Sequence, residues 1–421
     1  MNTAISCASA QGKIKAIASK SVAHRMLICA AFADAPTRIL CEETNNDIEA
    51  TAECLSALGA KVERNASYYD VTPISPAQAS KNALLPCRES GSTLRFLLPV
   101  VSALGSEATF LLEGRLPERP LSPLREELET HGITISGKSE LKVSGSLIGN
   151  EFSIDGSISS QFVSGLLFAL TLLGGGKLTV CGKLESAPYV DMTIDALSLF
   201  GVKITKENNV YTVSPIQKLV SPSLVEVEGD WSNAAFILAF GVLSGDVEIY
   251  GLSSASLQGD SAVIDILREF GADITYSEQT RSYRAKRSAL HGIEIDASQI
   301  PDLVPILATV ASVANGKTLI YGASRLKLKE SDRLKSTCAA LSTLGAQISY
   351  TDDSLIVEGR ERLSGGVADS AGDHRIAMSV AVAASVCEHE VTLKNSQAVN
   401  KSYPRFWLDA SELGVTIDHF E

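Results

Sequence analysis

Buried helices, glycines and strands recur with one period along the chain. An amphipathic helical run ends on a large apolar residue and is followed by glycine and then by a β-rich run, and this half-pattern occurs six times. The glycines lie about 70 residues apart and are Gly59, Gly132, Gly201, Gly271, Gly345 and Gly414. Glycine can adopt the left-handed conformation that ends a helix without a steric cost. The sequence therefore predicts six copies of one structural unit.

A second half-pattern precedes each of these glycines and consists of a polar opening, an apolar helix, a turn and a strand. The openings lie at residues 19–21, 90–92, 159–161, 230–232, 299–302 and 372–375, and the helices that follow are predicted at 22–32, 93–104, 162–173, 233–243, 303–314 and 376–386. These helices are apolar on nearly all sides, which predicts that they are buried. Strands such as 177–180, 247–250 and 318–321 follow them directly. The predicted unit is roughly βαβαββ, with buried helices surrounded by sheets.

The length of the chain indicates how many lobes these units form. At 421 residues the chain exceeds a single ordinary core, and an even division of six units gives two lobes of three. We expect the polar openings to converge on a cleft between the lobes, where helix N-termini bring partial positive charge. The periodicity does not say which units share a lobe, and candidate hinges lie near residues 12–18 and 221–229.

Composition argues against several classes of partner. The chain carries 37 Lys and Arg against 49 Asp and Glu, a formal charge of −12, which disfavours a general nucleic-acid or anionic-membrane surface. An anionic ligand must therefore meet a local cationic site. The most apolar runs are about a dozen residues long, which is too short for a helix that spans a membrane.

The cysteines indicate a reducing compartment. They are Cys7, Cys29, Cys41, Cys54, Cys87, Cys181, Cys338 and Cys387, with no close pairing in sequence and mostly small apolar neighbours. We interpret them as reduced core thiols of a cytoplasmic protein. The N-terminus has neither the pattern of a secretory signal nor that of a long Arg/Ser-rich transit peptide, which favours the same location.

Cationic and hydroxyl side chains gather at the predicted openings and in nearby loops. The cations are Lys20, Arg25, Arg95, Arg119, Lys329, Arg333, Arg375 and Lys401, and the neutral polar residues are Ser21, Ser159, Ser160, Gln161, Ser186 and Tyr189. Arginine offers a planar fork to phosphate or carboxylate groups, and lysine offers a compact charge. A single serine of this kind more often caps a helix or a turn. The joint pattern nevertheless indicates a site for a small polyol phosphate.

Two carboxylates are candidates for acid–base chemistry. Asp302 lies at the mouth of an apolar helix, and Glu330 lies within the charged stretch 327–333. Structural roles are open for both, because the helix dipole favours an acid at the position of Asp302 and Glu330 could form an ion pair with Lys329 or Arg333. A neighbouring cation lowers the pKa of a carboxyl group, and bound anions raise it again.

The sequence shows no pattern for a metal or a nucleotide. His374 lacks a metal-ligating partner at helical spacing. No glycine-rich loop of the P-loop or dinucleotide type precedes a helix with its expected lysine or acid. We therefore expect neither a catalytic metal nor a cofactor.

An ordered set of motifs connects the chain to a known family. The motifs are SKSV at 19–22 with Arg25, SGSTLR at 90–95, ERP at 118–120, GSISSQF at 156–162, SAPY at 186–189, IPD at 300–302, KLKESDR at 327–333, DHR at 373–375 and KSYP at 401–404. In this order they make the chain resemble the 3-phosphoshikimate 1-carboxyvinyltransferases, the EPSP synthase family, essentially from end to end. The resemblance implies transfer of the enolpyruvyl group of phosphoenolpyruvate to the 5-hydroxyl of shikimate 3-phosphate, with release of phosphate, in aromatic amino-acid biosynthesis.

The resemblance also implies a fold and a set of partners. The fold has two lobes, each of three βαβαββ repeats in an inside-out α/β barrel, and the lobes move between open and closed states. One lobe comprises residues 1–18 and 228–421, and the other comprises residues 19–227. The expected partners are small anionic substrates, without nucleic acid or membrane, and the chain is expected to be a monomer.

Site residues follow from the same resemblance. Shikimate 3-phosphate is expected to meet Lys20, Ser21, Arg25, Ser159, Ser160, Gln161, Ser186, Tyr189, Asp302 and Lys329. Phosphoenolpyruvate is expected to meet Lys20, Gly91, Arg119, Gln161, Arg333, Arg375 and Lys401. Asp302 resembles the base that takes the proton of the attacking hydroxyl. Glu330 resembles the acid that protonates the methylene carbon and later withdraws a proton as phosphate leaves, and Lys20 completes the catalytic set.

Three positions depart from the pattern of the family. Glu89, Ser92 and Arg325 stand where many relatives have Asn, Thr and Asn. The departures concern the shape of the phosphoenolpyruvate end of the site and one substrate contact.

Two alternatives are weighed against this interpretation. A sister family of the same fold acts on UDP-N-acetylglucosamine and usually carries a catalytic Cys or Asp in the loop that here reads EGRLPER at 113–119. No Cys occurs in that loop, and the SSQ sequence at 159–161 favours the shikimate interpretation. A catalytically inactive relative that only binds phosphorylated ligands should have lost Asp302, Glu330 or Lys20, and all three are present.

Overall fold

The structure is a computed structural model that describes residues 1–6, 8–215 and 218–421. The α-helices are α1 (Lys20–Ala31), α2 (Asn46–Leu58), α3 (Gly91–Leu104), α4 (Leu124–Thr130), α5 (Ser160–Leu172), α6 (Pro188–Leu199), α7 (Trp231–Ser244), α8 (Val263–Glu269), α9 (Val304–Ala311), α10 (Arg333–Thr343), α11 (His374–Ala383) and α12 (Phe406–Glu412). Short 3₁₀ helices span Pro76–Gln78, Leu116–Glu118, Gly259–Ala262, Pro301–Leu303, Ser324–Leu328, Ala384–Val386 and Ser396–Lys401.

The strands alternate with these helices along the chain. They are β1 (Asn2–Ser6), β2 (Gln11–Lys15), β3 (Thr37–Leu40), β4 (Lys61–Arg64), β5 (Tyr68–Thr72), β6 (Asn82–Arg88), β7 (Glu107–Leu112), β8 (Ile133–Ser136), β9 (Glu140–Gly145), β10 (Glu151–Asp155), β11 (Gly176–Cys181), β12 (Ile204–Glu207), β13 (Val210–Val213), β14 (Leu224–Glu226), β15 (Asp246–Tyr250), β16 (Asp273–Ser277), β17 (Ser282–Lys286), β18 (Glu294–Asp296), β19 (Lys317–Tyr321), β20 (Gln347–Tyr350), β21 (Leu355–Glu358), β22 (Gly366–Asp369), β23 (Val391–Lys394) and β24 (Thr416–Phe420).

The chain forms two compact units. The discontinuous unit consists of Met1–Ile17 and Glu228–Glu421, and the continuous unit consists of Ala18–Val227. The N-terminal residues join the discontinuous unit because β1 pairs with both β23 and β24 and β2 pairs with β15. Each unit has its own hydrophobic core.

Each unit contains three four-stranded sheets of one repeated topology. The continuous unit has the orders β14-β3-β5-β4, β6-β7-β9-β8 and β10-β11-β13-β12, and the discontinuous unit has β2-β15-β17-β16, β18-β19-β21-β20 and β22-β23-β1-β24. In every sheet the first two strands are parallel and the other neighbours are antiparallel. This topology confirms the six predicted repeats. In the described parts of the chain the sheets remain separate and no closed barrel forms.

The predicted apolar helices form the centre of each unit. Helices α1, α3 and α5 belong to the continuous unit and α7, α9 and α11 to the discontinuous unit, and every residue of α7 is buried. The prediction differs from the structure mainly at helix ends. The run predicted at 303–314 starts as the 3₁₀ turn Pro301–Leu303 and its α-helix ends at Ala311, where the Ser312 hydroxyl donates to the carbonyl of Ala308. Such a local hydrogen bond competes with helix continuation.

The repeated glycines have the conformation that the sequence analysis expected. All six, from Gly59 to Gly414, have a φ between +82° and +114°. At Gly59 this left-handed residue follows α2 directly and its amide donates to the carbonyl of Leu55. A residue with a Cβ is strained in this conformation, which explains why glycine marks each repeat.

The described cysteines are free thiols, but they are not all in the core. Cys29, Cys41, Cys54 and Cys87 are buried, whereas Cys338 and Cys387 are half-buried and Cys181 is exposed. The expectation of a core position is therefore wrong for Cys181, because it is the last residue of β11 and lies on the outward face of that strand. Cys7 lies outside the described residues. No helix in the described ranges is long and apolar enough to cross a membrane.

Candidate active site

The predicted site residues form two groups, one in each unit. In the continuous unit the first group surrounds the N-terminal ends of α1, α3, α5 and α6. Ser19 caps α1 by accepting a hydrogen bond from the amide of Val22, and Lys20 is the first residue of the helix. The Lys20 ammonium donates to a carboxylate oxygen of Asp47 at 2.9 Å, in the first turn of α2. Asp47 thereby fixes the position of the Lys20 charge.

Arg25 connects α1 to α6 from a buried position. Its Nε donates to the Thr193 hydroxyl at 2.8 Å, Nη1 to the carbonyl of Ser21 at 2.5 Å and Nη2 to the carbonyl of Tyr189 at 2.7 Å. The guanidinium also lies 5.0 Å from the ring centre of Phe96. Burial lowers the pKa of Arg25 to about 10, although the field of Tyr189 opposes this shift. The side chain therefore remains a cation at neutral pH and holds Ser21 and Tyr189 close together.

Gln161 is fixed by hydrogen bonds at both ends of its amide. Arg95 Nη1 donates to the Gln161 Oε1 at 2.8 Å, and Gln161 Nε2 donates to the Ser92 hydroxyl at 2.8 Å. These bonds join the first turns of α3 and α5, which cross closely because Gly165 has no side chain. A Cβ at Gly165 would lie 2.3 Å from the backbone carbonyl oxygen of Arg95.

Arg119 lies against the backbone of Gly91. A Cβ at Gly91 would come within 2.8 Å of Arg119 Nη1, so the guanidinium would have to move away from the helix N-terminus. The absence of a side chain at this first position of α3 is therefore what allows the guanidinium to approach the helix N-terminus. The positive end of the helix and the Arg119 cation then favour the same anion.

Three serines complete the group in the continuous unit. Ser159 caps α5 and accepts a hydrogen bond from the amide of Gln161 at 3.3 Å, and Ser160 is the buried first residue of the helix. Ser186 precedes α6 and has a φ of 54°. A non-glycine residue in this conformation carries local strain, which is common where a side chain is aimed at a ligand.

The second group is the Arg333 cluster, formed by Asp302, Lys329, Glu330, Arg333 and Asp373 in the discontinuous unit. Arg333 is only 1% exposed and is the first residue of α10. Its Nη1 donates to Asp302 at 2.7 Å, Nη2 donates to Glu330 at 2.9 Å and Nε donates to Asp373 at 2.8 Å. Burial lowers the pKa of Arg333, but the three carboxylates outweigh burial and raise it above its ordinary value.

Asp302 lies close to three cations. Lys329 donates to its Oδ1 at 3.1 Å, and Arg375 Nη2 lies 3.8 Å from its Oδ2, in addition to the bond from Arg333. Burial raises the pKa of Asp302, but these three cations together hold it well below its usual value. The pKa of Lys329 is lowered by burial, which the field of Asp302 opposes. Asp302 is consequently ionised at neutral pH.

The N-terminus of α11 supports the cluster from one side. Asp373 caps this helix by accepting a hydrogen bond from the amide of Arg375 at 2.9 Å, and its Oδ2 accepts a bond from the Ser331 hydroxyl at 3.1 Å. Arg375 is buried, and its Nη1 donates to the side-chain oxygen of Asn233 in α7 at 3.2 Å. Lys401 is buried at the end of the 3₁₀ helix Ser396–Lys401.

Sequence reasoning missed several residues of this arrangement. Asp47, Thr193, Asn233 and Asp373 hold the predicted cations, yet the sequence analysis gave none of them an individual role. Asp373 belongs to the polar opening at 372–375, so its position near the site had a signal. Asp47 and Thr193 lie in amphipathic helices without any distinguishing pattern.

The described residues contain no group of three or more His, Cys, Asp or Glu side chains arranged to hold a metal ion. The two groups supply buried and half-buried cations, hydroxyls and carboxylates. Cations at helix N-termini bind phosphates and carboxylates. An ionised carboxylate beside them can accept a proton from a hydroxyl group.

Comparison with known proteins identifies a family that matches nearly the whole chain. The model of the family described as EPSP synthase (3-phosphoshikimate 1-carboxyvinyltransferase) matches residues 6–409. The chain is 41% identical to the 3-phosphoshikimate 1-carboxyvinyltransferase of Clostridium kluyveri over 414 residues, which covers 97% of this chain and 96% of the relative. It is 41% identical to the protein of the same description from Clostridium acetobutylicum over 413 residues, which covers 96% and 95%.

A solved structure agrees with these relatives. The EPSP synthase of Acinetobacter baumannii superposes with a TM-score of 0.83 at 25% identity and covers 99% of this chain and 100% of that one. The enolpyruvyl transferase NikO of Streptomyces tendae has a TM-score of 0.79 at 20% identity, covers 100% of this chain and 98% of its own, and supports the fold alone.

Proposed function

The chain belongs to the EPSP synthase family, and from this premise we propose how its two residue groups carry out the family's reaction. It is a transferase that moves the enolpyruvyl group of phosphoenolpyruvate to the 5-hydroxyl of shikimate 3-phosphate and releases phosphate. The reaction belongs to the shikimate pathway of aromatic amino-acid biosynthesis. The residue roles below are proposals, each supported by the local geometry of one unit.

Shikimate 3-phosphate is assigned mainly to the group in the continuous unit. The contacts are Lys20, Ser21, Arg25, Ser159, Ser160, Gln161, Ser186 and Tyr189, with Asp302 and Lys329 from the Arg333 cluster. Arg25 supports this assignment because three of its N–H groups bond to protein atoms and a guanidinium has five. We assign the remaining two N–H groups to the phosphate group of the substrate.

Phosphoenolpyruvate is assigned to Lys20, Gly91, Arg119, Gln161, Arg333, Arg375 and Lys401. Both substrates are multiply charged anions, so they approach each other only where preorganised cations offset their repulsion. The contact between Arg119 and the Gly91 backbone supports this assignment, because it combines a guanidinium with a helix N-terminus.

Asp302 and Glu330 are assigned the proton transfers. Asp302 takes the proton of the 5-hydroxyl as the oxygen attacks phosphoenolpyruvate, and Glu330 protonates the methylene carbon to give a tetrahedral intermediate. Glu330 then removes a proton from that carbon as phosphate leaves, and Lys20 stabilises the negative charge. Bound anions beside Lys329 and Arg333 offset the cations that depress the pKa of Asp302, which makes it a stronger base once the substrates are present.

One observation carries this assignment. Arg333 donates to Asp302 through Nη1 and to Glu330 through Nη2, so one rigid guanidinium orients both proposed acid–base carboxylates. The separation of these two side chains is thus set by the width of the arginine fork. An arrangement of this kind suits one proton transfer from the attacking hydroxyl to Asp302 and one from Glu330 to the methylene carbon.

The test is phosphate release in mixtures of defined substrates. We expect phosphate only when shikimate 3-phosphate and phosphoenolpyruvate are both present, and none when UDP-N-acetylglucosamine replaces the shikimate compound. Asp302→Ala and Glu330→Gln should each lower kcat by about 10²-fold or more, the scale of general acid–base groups. Asp352→Asn is the matched control, since Asp352 is exposed and forms an ion pair with Lys327 at the surface. Near-normal kcat in either of the first two variants would show that the carboxylate is misassigned.

We also propose the organisation and surroundings in which the enzyme works. Residues 1–18 with 228–421 form one lobe of the family fold, and residues 19–227 form the other. The enzyme acts as a cytoplasmic monomer on small anionic substrates, without nucleic acid or membrane. The formal charge of −12 supports the exclusion of polyanionic partners. Analytical ultracentrifugation of the purified enzyme tests the monomer, and a stable dimer would contradict it.

A further inference from the structure

Asp260 is a buried carboxyl group that the proposed reaction does not use. It lies in the 3₁₀ helix Gly259–Ala262 and is 1% exposed. Its Oδ2 accepts a hydrogen bond from the Ser232 hydroxyl in the first turn of α7, whereas its Oδ1 has no hydrogen-bond partner among the described residues. Buried polar atoms are nearly always paired, so an unpaired carboxylate oxygen needs a physical explanation.

The surroundings of Asp260 connect it to the proposed substrate site. Ser232, which donates to Asp260, is followed in α7 by Asn233, whose side-chain oxygen accepts a hydrogen bond from Arg375 Nη1 at 3.2 Å. Asp302 and Asp230 act on Asp260 as negative charges, and Arg375 acts on it as a positive charge. The charged residues of the adjacent helix α8 (Asp265, Arg268 and Glu269) are exposed, and the Arg268 guanidinium donates to the carbonyl of Ile274. Among the charged residues named here, Arg375 is therefore the cation that stabilises the ionised form of the buried Asp260.

Arg375 is shared between Asp260 and other acceptors. Its Nη1 bonds to Asn233 at 3.2 Å, its Nη2 lies 3.8 Å from Asp302, and its Nε has no hydrogen-bond partner in the described part of the chain. An anionic ligand at Arg375 would use these donors. It would also add negative charge near Asp260 and weaken the stabilisation that Arg375 gives to the ionised form.

We propose that Asp260 is a positioning residue that takes up one proton from solvent when phosphoenolpyruvate binds at Arg375, and releases it when the product leaves. The proton converts the carboxylate to a neutral acid that still accepts the Ser232 bond, so no other bond breaks. Because the neutral carboxyl group carries no charge, it does not reduce the attraction between Arg375 and the anionic ligand. The proposal rests on the assignment of phosphoenolpyruvate to Arg375.

The electrostatics of the free enzyme support this linkage. Burial, followed by the charge of Asp302, raises the pKa of Asp260 to about 7, while the Ser232 bond and Arg375 lower it. An anion at Arg375 shifts the pKa further upward. Proton uptake is then largest above pH 7, and the affinity for phosphoenolpyruvate falls as the pH rises, by at most about tenfold per pH unit for one proton.

The experiment measures proton uptake without turnover. The wild-type enzyme is saturated with 5-deoxyshikimate 3-phosphate, which lacks the attacking hydroxyl, and phosphoenolpyruvate is titrated at pH 7.5 in two buffers of different ionisation enthalpy. Asp260→Asn keeps the size of the side chain and an acceptor for Ser232 but cannot titrate. We expect proton uptake in the wild type that exceeds the value for Asp260→Asn by a measurable fraction of one proton.

The pH dependence of kcat/KM for phosphoenolpyruvate gives a second readout. Relative to Asp260→Asn, the kcat/KM of the wild type should fall by up to about tenfold between pH 7 and pH 8. Ser232→Ala removes a bond that favours the ionised form and should move the midpoint of this loss to higher pH. A purely structural role of Asp260 would lower the profile without moving its midpoint.

The possible results are separable. Equal proton uptake in the wild type and Asp260→Asn, or one common midpoint in all proteins, overturns the proposal while phosphate release by the wild type upholds the function. If Asp260→Asn does not fold, an unchanged midpoint in Ser232→Ala overturns the proposal and an upward shift supports it. Absence of phosphate release by the wild type overturns the proposed function and with it the premise of this inference.

Discussion

Replacing Arg333 by methionine should destabilise the discontinuous unit by about 3–5 kcal/mol at pH 7.5. The substitution keeps an unbranched side chain of similar length but removes the cation that three carboxylates share. Breaking a buried ion pair by removing one partner typically has this cost, because the other charge remains buried without compensation. The loss of stability should not be three times that of a single broken pair, because Asp302 retains Lys329 and Asp373 retains the hydroxyl of Ser331.

Tryptophan fluorescence in a urea titration measures this loss in the relevant unit. The chain has two tryptophans, Trp231 and Trp407, and both are buried in the discontinuous unit. The matched control is Arg284→Met in the same unit, where Arg284 makes an exposed ion pair with Asp246. Exposed pairs contribute about 1 kcal/mol or less. If both variants lost the same free energy of unfolding, the argument for the Arg333 cluster would be refuted.

The pH dependence of the same loss has a definite sign. Cations hold the pKa of Asp302 well below its usual value in the folded state. Such a group contributes stability that is present above its unfolded pKa of about 3.9 and is lost as the pH falls through the folded value. Without Arg333 this contribution is smaller, so the difference between wild type and variant should be largest at neutral pH and should shrink below about pH 5. A difference that widens in acid would contradict the proposed origin.

Three further predictions concern the continuous unit. Gly91→Ala should raise the KM for phosphoenolpyruvate about tenfold or more and leave that for shikimate 3-phosphate nearly unchanged, because the added Cβ would lie 2.8 Å from Arg119 Nη1; steady-state kinetics with each substrate varied measure both values. Gly165→Ala should destabilise the crossing of α3 and α5 by about 1–3 kcal/mol, since its Cβ would lie 2.3 Å from the Arg95 carbonyl oxygen, and hydrogen exchange in these helices measures the loss. Burial lowers the pKa of His24 to about 3. The free energy of unfolding of the continuous unit should therefore fall by up to about 1.4 kcal/mol for each step of one in pH below 6.5. Hydrogen exchange that shows equal acid sensitivity in His24→Gln would argue against this origin.

The architecture could be predicted from sequence because its signals are local. The helix α7 is buried at every position, and a helix with that environment must be apolar on all sides, which a sequence shows directly. The repeated glycines from Gly59 to Gly414 are likewise determined by the conformation of a single residue. Neither signal depends on contacts between distant parts of the chain.

The partners of the site cations could not be predicted, because they depend on contacts distant in sequence. Arg333 bonds to Asp373, 40 residues away, and to Asp302, 31 residues away. The choice of Arg333 rather than Lys329 as the partner of Glu330 was left open in the sequence. In the structure Arg333 Nη2 donates to Glu330, while Lys329 bonds to Asp302 across 27 residues. Which of two adjacent cations reaches a carboxylate depends on tertiary packing.

The Arg333 cluster is better explained by function than by stability. Arg333 and Asp373 are almost completely buried, and Asp302, Lys329 and Glu330 are half-buried. Taking such charged groups out of water costs up to several kcal/mol per ion, and apolar residues of similar volume often stabilise a fold as much or more. Burial of these charges is therefore favoured only if their fixed positions serve a function that solvated charges could not serve. Charges that need no rearrangement when a ligand arrives stabilise a developing anion more than water does. The cluster lies at the N-termini of α10 and α11, where the helix dipoles add to the same effect.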